Sequence, residues 1–410
     1  MDQNNYWFGI LSHNYYVHKA DHAILYNTLS GEYIKVSDKT IISLLEKMHR
    51  KENLGVIEIN ADELNQPEIA SFVEESTQKN ICRIEVKKTD SPKPIQLMPI
   101  LNLQRDIDKL NKEDGRSLGE DVLHYLSDVT IYLNDECNQQ CSGCNQYDKQ
   151  FFHCYKSLNS DIFSFDLVNQ LLEKLQYAPV RRLAITGGNI FDYPEFERLL
   201  SYLKAQQIYP ILGVHYKNVN KERVAMIQDF PVEVFVTFPI NEECMTDFIS
   251  QSIPANLKII FEITSERDYA RAKSWIEKYE IENFELRPFF NGKNESFFSS
   301  NIYLSEEDIL SDLSIQRIIF ARQKMNTTFF GALHIYPDGD VKANPSKESI
   351  GNYKTDNLLK IIEKEMITNT AWRTIRDKEP CSKCLYQFLC PSPSNYEIAF
   401  GKDNLCNIIP

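Results

Sequence analysis

"DVTIYLNDECNQQCSGCNQYD", residues 128 to 148, joins a strand-like run to three cysteines within eight positions. The first seven residues are rich in β-branched and aromatic side chains and show no helical face, so they read as a strand. Asn134 and Asp135 end it, and Cys137, Cys141 and Cys144 follow on a polar loop. Runs of the same kind recur downstream: "RRLAIT" (181–186), "YPILGVHY" (209–216), "VEVFVTFP" (232–239), "LKIIFEI" (257–263) and "NFELRPFF" (283–290). Helical patterns separate them, in "FDLVNQLLEKLQ", "YPEFERLLSYLKAQ", "KERVAMIQD", "EECMTDFISQS" and "ERDYARAKSWIEKYE". Strict alternation of this kind implies right-handed βαβ units and a parallel sheet, open or curled into a barrel, so the fold class is α/β. Sites in such folds gather at the carboxyl ends of strands, and Cys137 stands just past the first of them.

Working outward, 410 residues exceed one ordinary core and two or three domains are expected. Block 1–85 holds short β-like runs in "NYYVHKADHAILYNTLSGEYIKV" with a Ser30-Gly31 turn signal. A helix follows in "SDKTIISLLEKMH", with Ser37 and Asp38 as candidate caps and Ile41, Ile42, Leu44, Leu45 and Met48 near one face. A second helical pattern, "QPEIASFVEESTQKN", leads into "ICRIEVKK". Residues 86–125 turn polar and read as a linker with one helical stretch. Block 126–300 is the alternating domain. Block 301–410 begins helix-rich, continues in a hairpin-like "LHIYPDGDVKA" with Asp338-Gly339 at its turn, and ends in a cysteine-rich tail.

Bulk properties exclude several roles. No segment reaches the roughly 18 to 20 apolar residues a membrane span needs, so no membrane is expected as partner. A net charge of -13 argues against nucleic acid as the principal partner, because that affinity comes from Lys and Arg neutralising phosphates. The start, "MDQNNYWFGILSHNYYVHKAD", does not read as a secretory signal, which makes the cytoplasm the expected location. There the ten cysteines are mostly reduced, and clustered ones are ligands or catalytic groups more often than disulfides.

Three thiolates from one short loop suit three irons of a cubane and leave the fourth iron free for something other than protein. A structural zinc is the alternative and needs a fourth ligand, for which His153 and Cys154 are candidates. Spacing and position at a strand end favour the cluster. The segment resembles the signature of the radical S-adenosylmethionine (SAM) superfamily. That resemblance implies that Cys137, Cys141 and Cys144 hold a 4Fe-4S cluster whose open iron chelates SAM, and that one electron cleaves SAM to a 5'-deoxyadenosyl radical. The family usually places an aromatic residue before the third cysteine, where this chain has Gly143. After the second strand comes "AITGGNIFDYPEF", in itself a glycine turn between strand and helix. By the resemblance Gly187, Gly188 and Asn189 contact the methionine amino group, with Thr186 as an extra polar contact. Asn189 offers an acceptor but lacks the carboxylate usual there.

The tail, "PCSKCLYQFLCPSPSNYEIAFGKDNLC", supplies Cys381, Cys384, Cys390 and Cys406, enough to close a zinc or a 4Fe-4S cluster completely. Beside the upstream motif it resembles the SPASM extension of peptide-modifying radical SAM proteins. The full extension carries two auxiliary clusters. Here Ser394 stands where its cysteine run usually ends, and Asn344 stands close to another expected cysteine, so the comparison implies one auxiliary 4Fe-4S cluster. Cys82, Cys154 and Cys244 read as packed or free thiols. His215, Glu262 and Arg287, near strand ends, read as structural polar groups within reach of a site.

Taken over the whole chain, the resemblance implies a winged-helix-like leader-recognition module, a partial (βα)6 barrel and a reduced SPASM tail. The implied activity is hydrogen abstraction from a ribosomally made precursor peptide, leading to a crosslink, an epimerisation or an oxidation, with a small electron-donor protein as second partner. A precursor leader would add a strand to the module's sheet edge. The alternative is a non-catalytic peptide-binding subunit, because some relatives with this tail have lost the SAM-cluster cysteines. The residue that carries the substrate chemistry is not identified by the sequence.

Overall fold

The computed structural model describes residues 5–88, 92–95, 121–250 and 256–408. Most of the expected linker, 86–125, lies outside these residues. In the N-terminal block, β1 (Asn5–Ile10), β2 (Asn14–Lys19), β3 (His22–Asn27), β4 (Tyr33–Val36), β5 (Val56–Asn60) and β6 (Cys82–Val86) make two antiparallel sheets, ordered β5-β1-β6 and β2-β3-β4. Gly31 turns the chain between β3 and β4 at φ +79°, a conformation open to glycine at little cost. Of the two candidate caps it is Asp38 that starts helix Lys39–His49, its carboxylate accepting from the Thr40 and Ile41 amides at 2.8 and 3.1 Å. Ile41, Ile42, Leu45 and Met48 then bury against Phe8, Leu25, Ile57 and, from helix Pro67–Gln78, Phe72 and Val73. Leu44, one position off that face, is only partly buried.

The alternating block folds in the expected order. Strands β7 (Asp128–Tyr132), β8 (Arg182–Thr186), β9 (Ile211–His215), β10 (Val232–Val236), β11 (Leu257–Ile263) and β12 (Phe284–Pro288) pair parallel, each with the next. Helices between them bury one stripe. Phe165, Val168, Leu171, Leu172 and Leu175 of helix Phe165–Leu175 recur at three- and four-residue steps, and Ser164 caps that helix. Phe196, Leu199, Leu200 and Leu203 do the same in helix Phe196–Ala205.

On the other edge, β7 pairs parallel with β13 (Ala332–Ile335), which continues antiparallel into β14 (Asp340–Lys342) and β15 (Gly351–Asn352). The sheet therefore has nine strands, ordered β12-β11-β10-β9-β8-β7-β13-β14-β15 among the described residues. The Asp338-Gly339 hairpin is present, with Gly339 at φ +93°. Beyond it, Glu365 is fully buried and accepts from the Thr370 hydroxyl and the Thr370, Ala371 and Trp372 amides at 2.6 to 3.1 Å. That carboxylate fixes the turn that buries Trp372, whose indole donates to Ala332 O of β13 at 2.8 Å.

Strand alternation gives the large sheet two unlike faces. One is apolar: Val129, Ile131, Ile185, Leu212, Val214, Val234, Ile259, Phe261 and Leu333 join the main core under the helices. The other carries Thr130, Tyr132, Thr186, His215, Glu262, Arg287 and His334, also largely buried but polar, beside an apolar patch of Phe235 and Ile260. A buried polar face costs free energy unless its groups are hydrogen-bonded or paired.

Candidate functional site

The cysteine loop leaves β7 at its carboxyl end and lies against the ends of β8 and β9. Asn134 Nδ2 donates to Asn189 O at 2.8 Å, Gly188 N to Asn134 O at 2.9 Å, and Asn189 N to Glu136 O at 2.7 Å. This contact is why two glycines stand at 187 and 188. A Cβ on Gly187 would come within 2.3 Å of Asn134 Oδ1, and one on Gly188 within 2.0 Å of Glu136 O. The glycine pair thus seats the start of the cysteine loop on the neighbouring strand end. Asn189 is 7 % exposed, donates from Nδ2 to Asp192 at 2.6 Å, and keeps its Oδ1 buried with no partner. Thr186, expected as a polar contact, donates to Gly213 O at 3.0 Å across the sheet.

N–H groups reach the sulfurs from several directions. Gln139 N lies 3.4 Å and Asn218 Nδ2 3.9 Å from Cys137 Sγ, and the Gln139 side chain donates to Asn218 Oδ1 at 3.0 Å. His215 Nε2 stands 3.4 Å from Cys141 Sγ and 3.0 Å from Thr237 Oγ1, while its Nδ1 accepts from Lys217 N at 3.3 Å. The acceptor role at Nδ1 puts the proton on Nε2, facing the sulfur. Burial, with Lys217 adding to it, pushes the His215 pKa down to about 3, so the ring is neutral. Lys156 Nζ holds the Cys137 carbonyl at 2.7 Å. Burial pushes the Cys144 thiol up to about 11, and its two companion cysteines push the same way.

The chain that follows Cys144 crosses the polar face of the sheet. Rings of Phe289, Tyr147, His153 and Phe235 stack in succession, with centroids 4.0, 4.5 and 4.2 Å apart. Gly143 lies at φ +80° beneath the start of this stack, and a Cβ there would meet Phe289 at 2.9 Å. Phe289 thus fills the space above Gly143. Arg287 Nη1 donates to Phe152 O at 3.2 Å and stands 3.8 Å from Glu262, whose two oxygens are buried without hydrogen bonds. Burial raises the Glu262 pKa well above the ordinary carboxylate range, against the pull of Arg287. His153 and Cys154 lie against each other at 3.1 Å, both buried.

At the far end of the chain, Cys381, Cys384, Cys390 and Cys406 line one cavity together with Arg376, Tyr386 and Asn404. N–H groups again meet sulfur: Tyr386 N at 3.4 Å from Cys384, Asn404 Nδ2 at 3.2 Å from Cys406, and Arg376 Nη1 at 3.8 Å from Cys381. Ser394 caps helix Asn395–Phe400 with Glu397 in a capping box, and Asn344 donates to the adjacent Asn395 at 2.7 Å. Ser394 and Asn344, the positions that would carry cysteines of a further cluster, are thus neighbours in space, and polar hydrogen bonds occupy them. Cys82 is buried in the N-terminal core and Cys244 is partly buried beside the main one.

Among the described residues, no group of three or more His, Cys, Asp or Glu side chains has the spacing to ligate a single metal ion. A cubane binds each thiolate on a different iron, so its cysteines stand farther apart than the ligands of one ion. Thiolates on a cluster carry negative charge that N–H donors stabilise, and both cysteine groups have such donors. The donor sets fit iron-sulfur clusters. The sequence singles out Cys154 and His215, but not Asn218, Phe289 or Arg376, because none of these belongs to a spacing motif and only the fold brings Asn218 and Arg376 to the sulfurs and Phe289 to Gly143.

No family model and no curated protein matches the chain. Among solved structures, SuiB of Streptococcus suis bound to precursor peptide SuiA aligns over 98 % of this chain and 99 % of its own, at 13 % identity and a TM-score of 0.42. SuiB bound to S-adenosylmethionine aligns over the same shares at 13 % identity and a TM-score of 0.41. The structure of anSMEcpe with bound AdoMet and Kp18Cys peptide aligns over 67 % of this chain and 95 % of its own, at 13 % identity and a TM-score of 0.45. Among the described residues no helix is long and apolar enough to cross a membrane.

Proposed function

We propose that this chain is a radical SAM peptide maturase with one auxiliary 4Fe-4S cluster. The observation that carries the reading is the placement of Cys137, Cys141 and Cys144 at the carboxyl end of β7, with N–H donors from the end of β9 aimed at two of the sulfurs. When bound, the cluster and SAM supply an electron and a 5'-deoxyadenosyl radical for hydrogen abstraction. The chain's own residues do the rest. His215, neutral, donates to Cys141 without adding charge, Asn218 and Gln139 serve Cys137, and Lys156 holds the loop by its main chain. Asn189 Oδ1, buried and without a partner, is the acceptor available to the methionine ammonium beside the Gly187-Gly188 turn. In this reading the six parallel strands form the partial barrel, the tail cysteines hold the auxiliary cluster, and the N-terminal block takes the precursor leader in the cytoplasm.

The test is SAM cleavage. Anaerobically reconstituted, dithionite-reduced protein should release 5'-deoxyadenosine, and the Cys137→Ala, Cys141→Ala, Cys144→Ala variant should release none. Cleavage surviving in that variant would sink the assignment. A second reading, a non-catalytic peptide-binding subunit, is favoured by one observation: the Gly188 and Asn189 amides are already spent on Asn134 O and Glu136 O. It predicts peptide binding with no 5'-deoxyadenosine from loaded wild type.

A further inference from the structure

Arg376 belongs to no motif, yet it is the most connected side chain around the tail cysteines. It is 7 % exposed. Its Nη1 faces Cys381 Sγ at 3.8 Å and Asp403 O at 3.4 Å, its Nε donates to Pro391 O, and its carbonyl accepts from Gln387. Pro391 follows Cys390, and Asp403 stands three residues before Cys406, so one guanidinium fastens the segments that carry three of the four cysteines. Its Nη2 meets Glu397 at 2.7 Å, and Glu397 is otherwise engaged by the Ser394 cap. Four thiolates around a 4Fe-4S core leave net negative charge, which grows by one on reduction. A buried cation beside those sulfurs favours the reduced state, and a buried carboxylate opposes it.

We propose that Arg376 positions the tail cysteines and, against Glu397, sets how readily a cluster held there accepts an electron. The inference rests on the auxiliary-cluster reading above. Reduction adds one electron from the titrant and changes no bond.

The experiment is a dithionite titration followed by EPR on the full chain carrying Cys137→Ala, Cys141→Ala and Cys144→Ala, so that the tail alone gives the signal. Arg376→Gln should move the midpoint potential to more negative values, Arg376→Lys should stay near the parent, and Glu397→Gln should move it to more positive values. If Arg376→Gln does not retain iron, Glu397→Gln carries the test with the opposite sign while keeping an amide oxygen for the Ser394 cap. An intact cluster with an unmoved potential in the charge-removing variants overturns the role of Arg376 alone. A parent tail without a four-iron signal overturns the auxiliary-cluster reading beneath it.

Discussion

Asp148 sits four residues past Cys144 and is 3 % exposed. Burial raises its carboxyl from the ordinary 3.8 to about 6, against the pull of Lys149 and Lys342. The folded chain therefore holds this proton at pH values where the unfolded chain has released it. Its contribution is fully present below pH 3.8 and is lost as pH rises through about 6. Asp148→Asn should remove that loss, making the variant more stable than wild type by about 2 to 3 kcal/mol at pH 8 and no different near pH 4. Urea denaturation at both pH values measures it. Gly188→Ala tests the seat of the cysteine loop: the added Cβ collides with backbone at Glu136, which cannot rotate away. A cost of about 1 to 3 kcal/mol is expected, together with loss of iron from the Cys137 site measured against the tail site. At this scale the sequence exposed the cysteines and the glycine pair, because spacing is written in the chain. It did not expose Phe289 over Gly143 or His215 on Cys141, contacts made across strands that lie far apart in the chain.

Among the elements, the six strands and five helices of the alternating block stand where periodicity placed them, within a few residues at their ends. Their apolar stripes are strong enough to specify both the element and the face it buries. What periodicity does not carry is pairing, and β13 shows it. A four-residue strand after a helix-rich stretch gives no sign that it will lie parallel to β7 from two hundred residues earlier. Glu365 holds that junction together. Glu365→Ala strips the acceptor from four donors around Thr370, Ala371 and Trp372 and should destabilise the protein by about 3 kcal/mol or more, each stranded buried donor costing about 1 to 3 kcal/mol. Glu365→Gln, which keeps one oxygen, should cost less in the same thermal unfolding assay.

Across the whole molecule, the N-terminal block is seated on the cysteine tail. Tyr15, Ile24 and Tyr26 of β2 and β3 share an apolar cluster with Ile309, Leu310, Tyr386, Leu389 and Cys390. Lys19 Nζ donates to Ser382 O at 2.7 Å and Gln387 Oε1 at 3.0 Å, and Ser314 N donates to the Tyr26 hydroxyl at 2.9 Å. The block that we propose receives the peptide leader therefore touches the segment proposed to hold the auxiliary cluster. Tyr26→Ala should cost about 3 to 5 kcal/mol and raise hydrogen exchange in residues 14–36 and 381–390 together. Exchange confined to 14–36 would mean that the two parts are not coupled. The sequence showed three blocks in order but not this contact, since periodicity marks an apolar strand face without saying which part of the chain it packs on.

Two 4Fe-4S clusters on two separate cysteine groups make iron content after anaerobic reconstitution the decisive count. Wild type should bind about eight irons per chain, and loss of either cysteine group should leave about four. Zinc in place of iron, or a wild-type chain that holds no more iron than the variant lacking Cys137, Cys141 and Cys144, would contradict the account.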